Sequence, residues 1–364
     1  MSAPYAERCS RLAAEAARAG LAGVLVAPSP DLAYLTAYAP PVFERLTLLV
    51  LRPGLVPTMV VPALELPLAR EAVADRVELI GWRDGEDPYA LVARLAPGEG
   101  RVAIADRTWA SHVLELQAVM ADVALEPGSP VIGRLRAVKD DDELAALRRA
   151  GRAADETFRQ VCSLPFLGRR EEEIAADLAA LLVENGHARA DFTIVASGPN
   201  AASPHHEPGG RTILPRDAVV LDFGGELASY FSDTTRTVVV GEPPDGFEEV
   251  FDLVHEAQLA AVEAVKPGVI AQDVDRVARR IIDDGGYGER FLHRTGHGIG
   301  LEVHEPPYII EGNETPLEPG MTFSVEPGIY LDGRFGVRIE DIVAVTADGV
   351  ERVNRSTREL QVVN

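Results

Sequence analysis

The stretch Leu221–Thr237, "LDFGGELASYFSDTTRT", sets two β-rich runs on either side of a glycine-containing turn, and each run carries one aspartate among apolar and β-branched residues. Asp222 lies near the end of the first run and Asp233 early in the second, so a hairpin brings the two side by side. Apolar sheet positions rarely hold aspartate, because an unpaired carboxylate taken out of water is strongly destabilising. Something must compensate this pair.

The same anomaly recurs downstream. "TFSVEPGIY" sets Glu326 among apolar residues, and "GVRIEDIVAV" sets Glu340 in a run that otherwise reads as a buried strand. Three separate β segments therefore point acids inward, and like charges that close repel unless cations lie between them. Two divalent ions bridged by carboxylates resolve all three anomalies together.

The stretch "RTGHGIGLEVHEPP", Arg294–Pro307, adds His297 between two glycines and His304 seven residues on. The flanking glycines leave room for the backbone to bend close to the ions. "GHGIG" lacks the glycine spacing of a dinucleotide loop, and the prolines after His304 exclude a helical zinc motif. Carboxylates with one imidazole suit Mn²⁺ or Co²⁺, Zn²⁺ is also compatible, and a Cys-rich structural zinc site is excluded because the chain has only two cysteines. Mn²⁺ is the expected ion.

Taken in order and context, Asp222, Asp233, His297, Glu326 and Glu340, in "DFGG…SDTTRT", "GHGIGLEVHE", "SVEPGIY" and "GVRIED", closely resemble the pita-bread metallopeptidases. That family includes prolidase, aminopeptidase P, methionine aminopeptidase and the metal-free creatinase. The resemblance implies that these five residues ligate two divalent ions. It puts Asp233 and His297 at opposite sides of the pair, gives one ion both oxygens of Asp222, and makes Glu340 a bridge. Glu326 is implied to ligate and also to take a proton from the attacking water.

The resemblance assigns His205, in "ASGPNAASPHHEPGGR", to substrate contact and protonation of the leaving nitrogen, with His206 beside it as the other candidate. It assigns His304 to the substrate carbonyl, His293 to the outer site and Arg338 to bracing the Glu340 region. The implied reaction is metal-assisted hydrolysis of the bond before proline, in which metal binding can bring the pKa of water from 15.7 to about 7. An Xaa-Pro dipeptidase of the prolidase type is expected, with an Xaa-Pro aminopeptidase acting on longer peptides as the alternative. In several prolidases the position four after the "HE" histidine is an arginine that binds the dipeptide carboxylate, and here it is Tyr308. A silent peptide-binding scaffold is disfavoured because all five ligand positions are retained. The family also implies a homodimer.

The rest of the chain fits this reading. Its 364 residues exceed what one core usually supports, and a formal charge of −22, with lysine only at Lys139 and Lys266, argues against a nucleic-acid partner. The longest clean apolar run, "LTLLVL", cannot span a bilayer, and the N-terminal stretch reads as an amphipathic helix. Two cysteines, Cys9 and Cys162, make no disulfide framework and suit a reducing, cytoplasmic setting. No nucleophile-elbow pattern supports a serine hydrolase.

From residue 1 to 131, helical segments (5–19, 88–95, 108–121) alternate with strands such as "AGVLVAP", "TMVVP" and "RVAIAD", which predicts an α/β domain like that of prolidase and creatinase. After the break "EPGSPVIG", residues 132–364 predict an α+β domain. Its helices are expected near 140–163, 171–185, 247–265 and 272–283, the first opened by Asp140 and Glu143 at capping-box spacing. His112, His187 and His255 match no motif and read as surface or ordinary helix residues.

Overall fold

The computed structural model describes residues 4–364 and divides into two compact units, one ending at Arg136 and one spanning Ala137–Asn364. The first is a mixed six-stranded sheet. Its strands are β1 (Gly23–Val26), β2 (Leu48–Leu51), β3 (Thr58–Pro62), β4 (Glu78–Trp82), β5 (Gly100–Ile104) and β6 (Val123–Pro127), in the order β4-β3-β2-β1-β5-β6. Six helices accompany them: α1 (Tyr5–Arg18), α2 (Pro30–Thr36), α3 (Leu66–Val73), α4 (Pro88–Leu95), α5 (Ala110–Val119) and α6 (Ser129–Ala137). Strands β1, β2 and β3 are buried throughout, which is why they read as unbroken apolar runs and not as alternations.

The break expected at "EPGSPVIG" is in fact the end of β6 and the start of α6. Pro130 lies in the first turn of that helix, where a missing N–H costs nothing, so the proline opens a helix. The boundary expected near 131 consequently falls inside α6, and the two units part at its last residues.

The second unit opens with α7 (Asp141–Val161) and α8 (Glu171–Glu184). The Asp140 side chain accepts from the Glu143 N–H while Glu143 accepts from the Asp140 N–H, so the capping box forms as spaced. Then come β7 (Arg189–Ser197), β8 (Ala218–Leu227), β9 (Tyr230–Val240), α9 (Phe247–Ala264) and α10 (Ala271–Asp284). The chain ends in eight short strands: β10 (Gly296–Gly298), β11 (Glu305–Ile309), β12 (Thr322–Val325), β13 (Gly328–Leu331), β14 (Phe335–Arg338), β15 (Asp341–Val345), β16 (Val350–Arg352) and β17 (Gln361–Val363).

These strands make a four-stranded sheet, β17-β9-β8-β7, a five-stranded sheet, β11-β10-β12-β15-β16, and the hairpin β13-β14. Helices α7 and α8 bury Phe158, Ile174 and Leu178 with Leu221 and Val238 of the first sheet. Helices α9 and α10 bury Phe247, Val254 and Val274 with Phe323 and Val343 of the second. Each sheet thus has one face held by a helix pair.

The β8–β9 hairpin departs from its expected form. Gly224 and Gly225 are not the turn but lie inside β8, and the turn is Ala228–Ser229, both with positive φ (53° and 70°) as a tight hairpin turn demands. A Cβ at Gly224 would overlap the Ser232 carbonyl and the Phe192 ring. Register pairs Gly224 with Asp233 and Asp222 with Thr235, so Asp222 and Asp233 are diagonal neighbours on one face.

Candidate active site

Four chain segments deliver the acids. Asp222 and Asp233 come from β8 and β9, Glu326 directly follows β12, and Glu340 sits between β14 and β15. His297 is the middle residue of β10. Its flanking glycines answer a different need from the one expected. A Cβ at Gly296 would overlap Ser324 of β12, and one at Gly298 would overlap the carbonyls of Glu305 and Pro306 on β11. Both glycines admit neighbouring strands, not an ion. Pro306 and Pro307 likewise do not break structure, since they lie in β11 at the sheet edge, where a missing donor is tolerated.

His297 Nε2 lies 3.3 Å from Glu326 Oε1 and 3.6 Å from Asp233 Oδ2. Ligand atoms of Asp233, His297 and Glu340 all lie within 4.8 Å of one another. Asp233 and His297 are therefore on one side of the cluster, not opposite sides, because β9 and β10 bring their side chains together. Asp222 Oδ2 accepts from Arg338 Nη2 at 2.7 Å.

Asp233 Oδ1 and Glu340 Oε1 are buried and have no hydrogen-bond partner. Burial, followed by repulsion from the other acids, pushes the carboxyls of Asp233 and Glu340 well above the usual range. Glu326 is raised to about 7, chiefly by burial, with Arg338 opposing. Burial and then His304 lower the His297 imidazole to about 3, leaving it neutral with a lone pair to donate. Orphaned buried oxygens, convergent carboxylates and one neutral imidazole form a donor set that fits divalent cations.

The supporting contacts are specific. Thr235 Oγ1 donates to Glu340 Oε2 at 2.7 Å and accepts from Arg338 Nε at 3.2 Å. Ser324 Oγ donates to Glu326 Oε1 at 3.1 Å and accepts from the His297 N–H at 3.0 Å. Arg338 thus braces Asp222 directly and reaches Glu340 through Thr235. Neither hydroxyl stood out in the sequence, although Thr235 lies in the opening stretch, two residues from Asp233 and on the same face.

A cavity of about 770 Å³ opens onto this cluster, and His205, His293, His304 and Arg338 line it as well. His206 turns away, its Nε2 2.9 Å from Glu171 Oε2, so His205 is the member of the pair that faces the cavity. Glu171 is fully buried and also accepts from Ser197 and Asn200, which pins the loop carrying His205. The His304 ring stands edge-on to His297 with centroids 4.0 Å apart.

His293 has no free nitrogen. Its Nδ1 lies 2.7 Å from the Arg294 carbonyl and its Nε2 2.8 Å from the Tyr330 hydroxyl, which also accepts from Arg338 Nη1 at 2.8 Å. Burial, then Arg338, lowers its pKa to about 4. Its contacts hold the cavity wall, and it cannot bind substrate without giving one of them up. Tyr308 is not in the lining; its ring faces the Arg294 guanidinium at 4.6 Å. His112 is a helix residue of α5, buried and bonded to Tyr89, whereas His187 lies outside the helices, buried and bonded to Ser232.

The description "Metallopeptidase family M24" fits residues 145–347, more than half of the chain, and "Creatinase/Prolidase N-terminal domain" fits residues 8–138. The chain belongs to metallopeptidase family M24. Membership implies divalent metal ions, in keeping with the donor cluster. The crystal structure of dipeptidase PepE from Mycobacterium ulcerans is 45% identical, covers 99% of this chain and 98% of its own, and superposes with a TM-score of 0.95. A prolidase from Thermococcus sibiricus is 40% identical, with 99% of each chain covered and a TM-score of 0.92. The Xaa-Pro dipeptidase of Lactobacillus delbrueckii subsp. lactis is 38% identical over 342 residues, 91% of this chain and 92% of its own. Both expected domain folds hold. No described helix is long and apolar enough to cross a membrane.

Proposed function

We propose that the chain is an Xaa-Pro dipeptidase with two divalent ions, Mn²⁺ by preference, held by Asp222, Asp233, His297, Glu326 and Glu340. The observation that carries this reading is the buried, unpartnered oxygens of Asp233 and Glu340 in a cavity of an M24 chain whose relatives include an Xaa-Pro dipeptidase and a prolidase. The one imidazole among carboxylates favours Mn²⁺ or Co²⁺ over Zn²⁺.

When bound, the ions supply an acidified water and polarise the scissile carbonyl. Glu326, whose Oε1 also accepts from Ser324 Oγ, would take the proton of the attacking water. His304 Nε2 or Nδ1 donates toward the carbonyl oxygen as negative charge develops there. His205 returns a proton to the leaving nitrogen, which in proline carries no hydrogen of its own before cleavage. Phe192, Ile194, Val303 and Ile310 offer apolar wall to a pyrrolidine ring.

Rates on Ala-Pro and Ala-Pro-Ala with Mn²⁺ test this. A preference for the dipeptide is expected, and a large preference for the tripeptide would replace this reading with that of an Xaa-Pro aminopeptidase. The latter has one observation in its favour, the tyrosine at 308. A cytoplasmic homodimer completes the proposal, supported by the family resemblance and by two free cysteines, whose thiols burial raises to about 11 (Cys9) and about 12 (Cys162). Sedimentation of the purified protein tests the dimer.

A further inference from the structure

A dipeptide differs from a longer peptide in one chemical respect near the scissile bond: its second residue ends in a carboxylate. A cavity selective for dipeptides needs a cation to meet that charge, and it must be one not already committed to a protein carboxylate. Two arginines line the cavity. Arg338 is committed, bound to Asp222, Tyr330 and Thr235 and fully enclosed. Arg294 is different. Among the described residues its guanidinium has no carboxylate and no hydrogen-bond acceptor, and its one recorded contact is the face of Tyr308.

The placement of Arg294 is fixed from both sides. Its carbonyl accepts from His293 Nδ1, within the chain that runs from Arg338 through the Tyr330 hydroxyl to His293. Its side chain lies on the Tyr308 ring, whose own backbone is paired to His297 across β10 and β11. Tyr308 thus acts from outside the lining, as a platform that aims the guanidinium inward. A guanidinium that lies over a ring face with no acceptor of its own keeps N–H groups free for a carboxylate, which it can bind with two parallel hydrogen bonds. The half-buried position raises the value of that pairing over an exposed one. Arg294 lines the same cavity as His297, His304 and Glu326.

We infer that Arg294, held on the Tyr308 ring, binds the free carboxylate of the dipeptide's second residue and is the specificity-determining residue for dipeptides in this chain. This rests on the Xaa-Pro dipeptidase reading. It also changes what the tyrosine at 308 means: the tyrosine leaves the carboxylate-binding charge in place and moves its source to a residue fourteen positions earlier.

The test compares Ala-Pro with Ala-Pro-amide, identical except for the carboxylate, in the Mn²⁺-loaded wild type and the Arg294→Gln, Arg294→Lys and Tyr308→Leu variants. Loss of one charge-assisted pair predicts that Arg294→Gln raises KM for Ala-Pro by about 10- to 100-fold more than for the amide. Arg294→Lys recovers part of that selectivity and Tyr308→Leu loses part of it. A second readout needs no turnover: calorimetric titration should find wild type binding L-proline more tightly than prolinamide, with the difference lost in Arg294→Gln. Equal penalties on acid and amide, or a proline preference that survives Arg294→Gln, would overturn the assignment. Wild-type cleavage of Ala-Pro-Ala without Ala-Pro would count instead against the dipeptidase reading, and the proline titration would still decide the role of Arg294.

Discussion

Glu340 and Asp341 are adjacent in sequence, both nearly inaccessible, and opposite in circumstance. Asp341 accepts from Arg236 Nη2 at 2.7 Å and Gln258 Nε2 at 3.1 Å and is also bonded by Arg358 Nε, so its charge is neutralised within the protein. The Glu340 side chain has one donor, Thr235, and one orphaned oxygen, and repulsion from Glu326 and Asp222 outweighs the attraction of Arg338. The same contrast separates Asp275, bonded by Arg279 and Thr295, from Asp233, which has no cation of its own. Two kinds of buried acid thus stand side by side. One is structural, because the fold supplies its counter-charge, and the other awaits a counter-charge from outside.

Substitutions that neutralise one acid of each kind should have opposite outcomes. The largest effect on activity belongs to Asp233→Asn, which should lower kcat/KM on Ala-Pro by orders of magnitude and reduce metal per chain while leaving the metal-free melting temperature equal or higher. A variant with near-wild-type turnover would remove Asp233 from the ligand set. Asp341→Asn should do the reverse, destabilising the metal-free protein by about 3–5 kcal/mol because Arg236 is left buried without its charge partner. Thermal melting of the stripped protein separates the two.

Mn²⁺ at a hundred times its dissociation constant should stabilise the stripped wild type by about 2.7 kcal/mol per coupled site, and Asp233→Asn by less. The smallest effect concerns the hydroxyl linking Arg338 to Glu340. Thr235→Val keeps the shape and removes the donor, so metal affinity should fall by about 10- to 100-fold with the fold intact. Unchanged affinity in a calorimetric titration would make that contact merely structural.

The contrast marks how far the sequence could be read. All four acids and His297 are legible, because an acid in a β-rich run is conspicuous by composition alone. Helix ends followed their caps, as at Asp140 and Glu143. What stayed hidden is what depends on partners far along the chain. "IED" offers no sign that Asp341 is satisfied, since Arg236 lies 105 residues away. The glycines around His297 read as clearance for ions because the strands that crowd them, β11 and β12, follow in sequence and their separation is set only in the folded sheet. Arg294 carries no signal in the sequence, since an arginine is ordinary until the fold withholds its partner. Tyr308, by contrast, was noticed for its identity, but its service to Arg294 is visible only in three dimensions.

The unpartnered acids are read here as a divalent-metal centre used for hydrolysis. Elemental analysis of the protein after equilibration with Mn²⁺ and removal of free metal, run beside Ala-Pro hydrolysis on the same sample, tests it most directly. Two ions per chain are predicted, with activity lost on stripping and restored on reloading. A chain that binds no divalent metal yet cleaves Ala-Pro would contradict it.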